Sequence, residues 1–173
     1  MTQNYFELFG LEAMFGIDQT LLEINYRRIQ SESHPDRFVT GTPTEKLKSM
    51  RLATLANEAY QTLKSPANRA AYFLTLKGIT TITETNTAMP SDFLMQQMEW
   101  REAIEDAKVA KNMSALDDLL TEIKQEAKAL NAELISAIDT QKDYGAATKS
   151  TRKLIFMDKL TIDINKVIEL IEN

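Results

Sequence analysis

The side chains with the widest chemical repertoire are few. One histidine, His34, occurs among 173 residues, and there is no cysteine. An imidazole followed by Pro35 and Asp36 could hold or pass a proton, because histidine titrates near neutrality. General-base catalysis also needs a nucleophile and an orienting group within hydrogen-bond reach. No Gly-rich or Ser-centred motif accompanies His34, and a stiff proline separates it from Asp36. Asp117 and Asp118 are adjacent on a helical pattern, so their carboxylates point apart and suit a surface rather than a paired acid–base site. The absence of cysteine excludes disulfides, thiolate zinc sites, cysteine-ligated clusters and thiol nucleophiles. The pattern points to a protein that works by binding, with no cofactor or metal implied.

The elements that carry these residues read as helices almost throughout, because Leu, Ala, Glu, Lys, Gln and Met dominate and β-branched alternation is scarce. Asn4 to Phe9 reads as a short helix ended by Gly10. A second starts at Asp18, whose carboxylate can cap Thr20 and Leu21, and stops at His34-Pro35, since proline disfavours helix at the residue before it. Thr42-Pro43-Thr44-Glu45 is a capping box that opens a third helix, carrying Leu47, Met50, Leu52, Leu55, Ala59, Tyr60 and Leu63. Ser65-Pro66 starts a fourth, which runs through Leu76 to a left-handed Gly78. Five threonines between 80 and 87 interrupt the pattern and read as a linker over 78–90. A helix follows from Ser91. Ser114 with Asp117 resembles a capping box for a long helix to about Lys142, Gly145 breaks it, and a last helix reaches Glu172. Three helices joined by short loops predict an up-down-up bundle.

Hydrophobic residues make up 43% and charged residues 26%, enough for a folded core. No apolar run is long enough to span a bilayer, and no basic-then-apolar leader pattern is visible, so a cytoplasmic location is expected. The net charge of −5 argues against a nucleic-acid partner. That charge is unevenly placed: residues 1–76 carry eight basic and eight acidic side chains, while residues 77–173 carry 12 and 17. Two halves of different charge suggest two different partners, although on this fact alone a solvated acidic bundle surface is the favoured reading.

The order Tyr5-Phe6-Glu7-Leu8-Phe9-Gly10-Leu11, Arg27-Arg28, His34-Pro35-Asp36-Arg37, Asn57-Glu58-Ala59-Tyr60, Ser65-Pro66, Arg69 and Tyr72 resembles the J-domain of co-chaperones that activate heat-shock chaperone ATPases. The resemblance covers residues 2–76. It implies an antiparallel helical hairpin with short flanking helices. His34, Pro35 and Asp36 would dock on the chaperone, and Arg27, Arg28 and Arg37 would face an acidic groove on its ATPase domain. Such a cationic patch steers and orients docking more than it adds affinity. Residues 31–33, Ser-Glu-Ser, depart from the basic and aromatic residues common at that place, which weakens the positive face.

Winding residues 93–107 at about 100° per residue puts Phe93, Gln97, Trp100, Ile104 and Ala107 together as a core face. Leu94, Met95 and Met98 fall elsewhere, beside Glu99, Glu102 and Asp106, where they need a cover. Phe93-Leu94-Met95-Gln96-Gln97-Met98-Glu99-Trp100-Arg101-Glu102, with Arg152-Lys153-Leu154-Ile155-Phe156-Met157-Asp158-Lys159-Leu160, is similar to the C-terminal domain of the HscB family of bacterial iron–sulfur co-chaperones. That resemblance implies that Leu94, Met95, Met98, Glu99, Glu102, Asp106 and Phe156 contact the scaffold protein IscU, which is delivered to an HscA-type chaperone. Periodicity alone places Phe156 near Leu160, Ile164 and Val167 and equally allows it in the core. Some eukaryotic relatives carry a cysteine-bearing N-terminal metal site, which this cysteine-free chain is not expected to share.

The expectation is therefore an all-α protein: a J-domain over 1–77, a linker over 78–90, and a three-helix scaffold-binding domain over 91–173. The alternative is a J-domain co-chaperone of a general DnaK-type chaperone serving another client.

Overall fold

Local capping chemistry sets where most helices begin. In the computed structural model, which describes residues 3–81 and 89–173, Asn4 and Glu7 form a capping box at the start of α1, Tyr5–Leu8. Asp18 accepts from the Leu21 N–H to open α2, Gln19–Glu32. Thr42 and Glu45 form the predicted capping box of α3, Pro43–Lys64. Such caps each contribute on the order of 1 kcal/mol. The Ser65 hydroxyl accepts from Asn68 N–H at the start of α4, Pro66–Leu76. Beyond it lie α5, Ser91–Ala110, α6, Met113–Leu134, and α7, Tyr144–Glu172. No strand occurs among the described residues, so the chain is all-α as expected.

Two compact units divide the chain, Met1–Phe73 and Leu74–Asn173. In the first, α2 and α3 form an antiparallel hairpin, and α1 packs on α3. Phe6, Phe9, Phe15, Leu22, Ala56, Ala59, Leu63, Ala70 and Phe73 are buried, and each large side chain among them contributes ~1.5–3 kcal/mol by leaving water. The hairpin is tied by polar groups as well. Gln30 Nε2 donates to Tyr26 Oη at 2.6 Å and to Asn57 Oδ1 at 3.1 Å, and Tyr26 itself donates to Asn57. Arg69 is buried. Its Nε donates to the Phe15 carbonyl at 2.7 Å and its Nη1 to the Leu63 carbonyl at 2.7 Å, near the C-terminal end of α3, where a cation complements the helix dipole. On the half of α3 nearest the loop, Leu47, Met50, Leu52 and Leu55 stay exposed, and the small Ser49 is the buried residue there.

In the second unit, α5, α6 and α7 form the three-helix bundle, with α6 and α7 in the most extensive contact. Trp100, Ile104, Leu116, Leu119, Ile123, Leu130, Leu134, Leu154, Met157, Leu160 and Ile164 fill its core. Part of the predicted linker packs on this bundle: Thr81 is buried, and its carbonyl accepts from Arg152 Nε at 2.6 Å. Residues 82–88 of that predicted linker lie outside the described residues.

Two local expectations give way to different chemistry. Asn112, not Ser114, caps α6, accepting from the Ala115 N–H at 3.1 Å: Asn112 stands one residue before the first helical position, whereas Ser114 already lies inside the first turn. Gly145 does not break the chain. It lies inside the first turn of α7, whose cap is Asp143, and the left-handed residue is Lys142 at φ 58°. Between α6 and α7, Ile135–Thr140 form a π-helical segment that keeps Ala137 and Ile138 buried.

Candidate functional site

The two sets of candidate residues lie in different units. In the first, α2 ends at Ser33, and His34 then caps a 3₁₀ turn over Pro35–Phe38. Pro35 occupies its first position, where a fixed φ and a missing N–H cost nothing. The Asp36 N–H donates to His34 Nδ1 at 3.2 Å, and the Arg37 N–H donates to the His34 carbonyl at 3.0 Å. His34 Nδ1 also lies 3.5 Å from Asp36 Oδ2, yet the Asp36 side chain remains 87% exposed. The loop thus orders its backbone while leaving a carboxylate and an imidazole edge to solvent.

The root of that loop is fastened from below. The buried Ser33 hydroxyl donates to the Ile29 carbonyl at 2.6 Å, and the buried Ser49 hydroxyl donates to the Ser33 carbonyl at 2.6 Å. The serine that weakens the positive face at position 33 is therefore also part of the loop's support. No sequence expectation covered this pair. Its one signal in the sequence is a small polar residue, Ser49, on a helix face whose other members are apolar.

Arg27, Arg28 and Arg37 are all exposed. Arg27 Nη2 pairs with Glu23 Oε1 at 2.6 Å along α2, so part of its charge is already answered. Arg28 and Arg37 make no ion pair among the described residues. Arg27 and Arg28 stand about one turn or more before the end of α2, on the order of 6–8 Å along its axis from the loop. Asp36 and His34 are brought into direct contact; among the described residues no ion pair joins the three arginines to them.

In the second unit, Phe93, Trp100, Ile104 and Ala107 of α5 are buried, and Gln97, expected with them, is half-buried beside a surface cavity. Leu94 is 46%, Met95 63% and Met98 71% exposed. Glu99, Glu102 and Asp106 are exposed as well. Trp100 Nε1 donates to Glu122 on α6 at 3.3 Å, which sets the rotation of α5 on the bundle. Phe156 on α7 is half-buried, neither free nor core. Its ring meets Phe93 edge-on, with centroids 5.8 Å apart, while the Arg101 guanidinium lies 5.2 Å over it. Leu94 and Phe156 line one cavity of about 210 Å³. This is smaller than usual ligand pockets of roughly 300–1,000 Å³ and suits a side chain rather than a cofactor.

No group of three or more acids and histidines able to hold a metal occurs among the described residues, and no helix there is long and apolar enough to cross a membrane.

Comparison with known proteins bears on both units. Residues 89–165 match the family model described as the HSCB C-terminal oligomerisation domain. A co-chaperone protein HscB homolog of Burkholderia thailandensis is 47% identical over 173 residues, covering 100% of this chain and 98% of its own. The structure of the chaperone HscB from Vibrio cholerae superposes with a TM-score of 0.84 at 36% identity, over 98% of this chain and 99% of that one. Human co-chaperone protein HscB gives a TM-score of 0.85 at 30% identity, over 95% and 82%. The hairpin with its His34-Pro35-Asp36 tip and the three-helix bundle both lie within these full-length matches, and the chain belongs to the HscB family of J-domain co-chaperones.

Proposed function

We propose that the protein is an adaptor of iron–sulfur cluster biogenesis in the bacterial cytoplasm. Its first unit, through His34, Pro35, Asp36, Arg27, Arg28 and Arg37, stimulates the ATPase of an HscA-type chaperone. Its second, through Leu94, Met95, Met98, Glu99, Glu102, Asp106 and Phe156, delivers the scaffold IscU. The protein is not itself an enzyme in this reading: it shifts the chaperone towards its hydrolysing state by binding that state more tightly.

The observation that carries the reading is the exposure of Leu94, Met95 and Met98 among acids, on a helix whose opposite side is buried. A dry partner surface repays each covered side chain by ~1.5–3 kcal/mol, and flexible Met and Leu side chains suit an adaptable interface. Domain boundaries of 1–77, 78–90 and 91–173 divide these two tasks. The test is the chaperone ATPase rate measured with this protein and IscU, separately and together. Synergy is expected, and simple addition would count against the adaptor.

A second reading, self-association through the same face of α5, is favoured by the description of the matching family model as an oligomerisation domain. Sedimentation of the protein alone across a concentration series separates the two.

A further inference from the structure

The cavity between α5 and α7 has one chemical feature that the acidic, apolar character of α5 does not account for. Met89, Leu94, Ile155 and Phe156 line it with apolar surface, Gln97 adds an amide, and α7 adds Arg152 and Lys159. The Phe156 ring stands edge-on to the buried Phe93 ring. Arg152 is engaged with the Thr81 carbonyl. Lys159 is exposed and makes no ion pair among the described residues; Asp163, one turn on, is not within 4.0 Å of it.

Charge is sorted around this cavity. At about 100° per residue, Gln97, Arg101 and Leu94 share the side of α5 that meets Phe156, whereas Glu102, Asp106 and Glu99 lie roughly 80° to 140° round from Leu94 and further from Gln97 and Arg101. Glu105 is the acid nearest the Leu94 direction, but it stands eleven residues along, about 16 Å down the axis. Lys159 thus marks the α7 edge of the cleft, the Arg101 guanidinium lies over the Phe156 ring, and the acids of α5 lie beyond.

We propose that the cleft receives an apolar side chain of the scaffold protein that neighbours a carboxylate, and that this carboxylate pairs with Lys159. A cation of the same scaffold then faces Glu99 and Glu102, so the two charge contacts fix a single orientation of the scaffold on the bundle. Opposite charges at the two edges penalise the reversed orientation, in which like charges meet. The inference rests on the scaffold-binding reading above and adds the sign of the contact on α7.

The experiment is calorimetric titration of purified IscU-type scaffold into the full chain and its L94A, K159A and K159E variants, each first checked for an unchanged melting temperature. Binding by the wild type that weakens about threefold in K159A and about tenfold in K159E is expected, with a flatter salt dependence in K159A, as for a charge at an interface rim. One carboxylate-to-lysine change on the scaffold should restore K159E binding while impairing the wild type. If the wild type does not bind scaffold, the underlying reading fails. If the wild type binds and L94A weakens it, but K159E binds as the wild type does, the inference alone is overturned. If the wild type self-associates and K159E or L94A is monomeric, a second copy occupies the cleft and the inference is likewise overturned.

Discussion

At the His34 turn, position is held by hydrogen bonds: Asp36 N–H to the imidazole, Arg37 N–H to the His34 carbonyl, and Ser49 to the Ser33 carbonyl. On α5, the helix itself, the burial of Phe93, Trp100 and Ile104 and the single Trp100–Glu122 hydrogen bond described above place Leu94, Met95 and Met98. The first surface is small, polar and preorganised, and the second is broad, soft and apolar. A preorganised polar loop suits a partner read by orientation, because little ordering cost remains on docking. An apolar helix face suits a partner whose surface must be covered rather than read, with the flanking acids and Lys159 choosing among orientations.

The contrast can be broken most sharply at Asp36. Asp36→Ala removes an exposed carboxylate without touching the core, and is expected to cut chaperone ATPase stimulation by on the order of 100-fold, about 2.7 kcal/mol, while scaffold affinity stays at the wild-type value. Loss of scaffold binding in that variant would mean that the two surfaces are not independent. Next in size is Leu94→Ala with Met98→Ala. About ten- to fiftyfold weaker scaffold binding is expected by titration, the effect of truncating two central apolar contacts, with stimulation measured without scaffold unchanged.

Ser49→Ala tests whether the His34 turn owes its effect to being held. The Ser33 carbonyl would lose its donor, at a cost of roughly 1–2 kcal/mol in chemical denaturation. Stimulation should fall about threefold to tenfold, less than in Asp36→Ala. Unchanged stimulation with lowered stability would show that the loop needs no support from α3.

The smallest effect concerns Asp158, an exposed residue whose carboxyl is nonetheless pushed above its usual value by partial desolvation at the α6–α7 side of the bundle. A carboxyl raised in the folded state is better tolerated protonated, so its ionisation lowers stability as pH rises from the unfolded value of about 3.9 through the folded one. Asp158→Asn should therefore match the wild type near pH 3 and melt slightly higher near pH 7, by within about 0.5 kcal/mol. A lower melting temperature at pH 7 would contradict that cause.

Legibility in the sequence tracks the range of each interaction. The caps at Asp18, Thr42 and Glu45 join residues three apart, so side-chain type and spacing suffice to read them. The core stripe of α5 is equally readable, because it repeats with the helix. The Ser33–Ser49 bond joins residues 16 apart across the hairpin, and no spacing rule announces it. Phe156 is ambiguous for a similar reason. Its angle on α7 matches Leu160, but its burial depends on Phe93 and Arg101 of another helix. Gly145 misleads because glycine is the usual left-handed residue, while here Lys142 takes that conformation and Asp143 caps α7.

The π-helical segment at Ile135–Thr140 has a consequence for how this bundle tolerates change in length. Its hydrogen bonds reach one residue further back than an α-helix allows, as from Gln141 N–H to the Ser136 carbonyl at 2.8 Å. The turn is thus one residue over-full, an insertion absorbed as a bulge rather than passed along the chain as a rotation. Removing one exposed residue there, such as Ile135, would relax it to an ordinary helical turn. Leu134 and Tyr144 would be left close to their present places, so natural one-residue length differences among relatives should gather at this turn rather than inside α6 or α7.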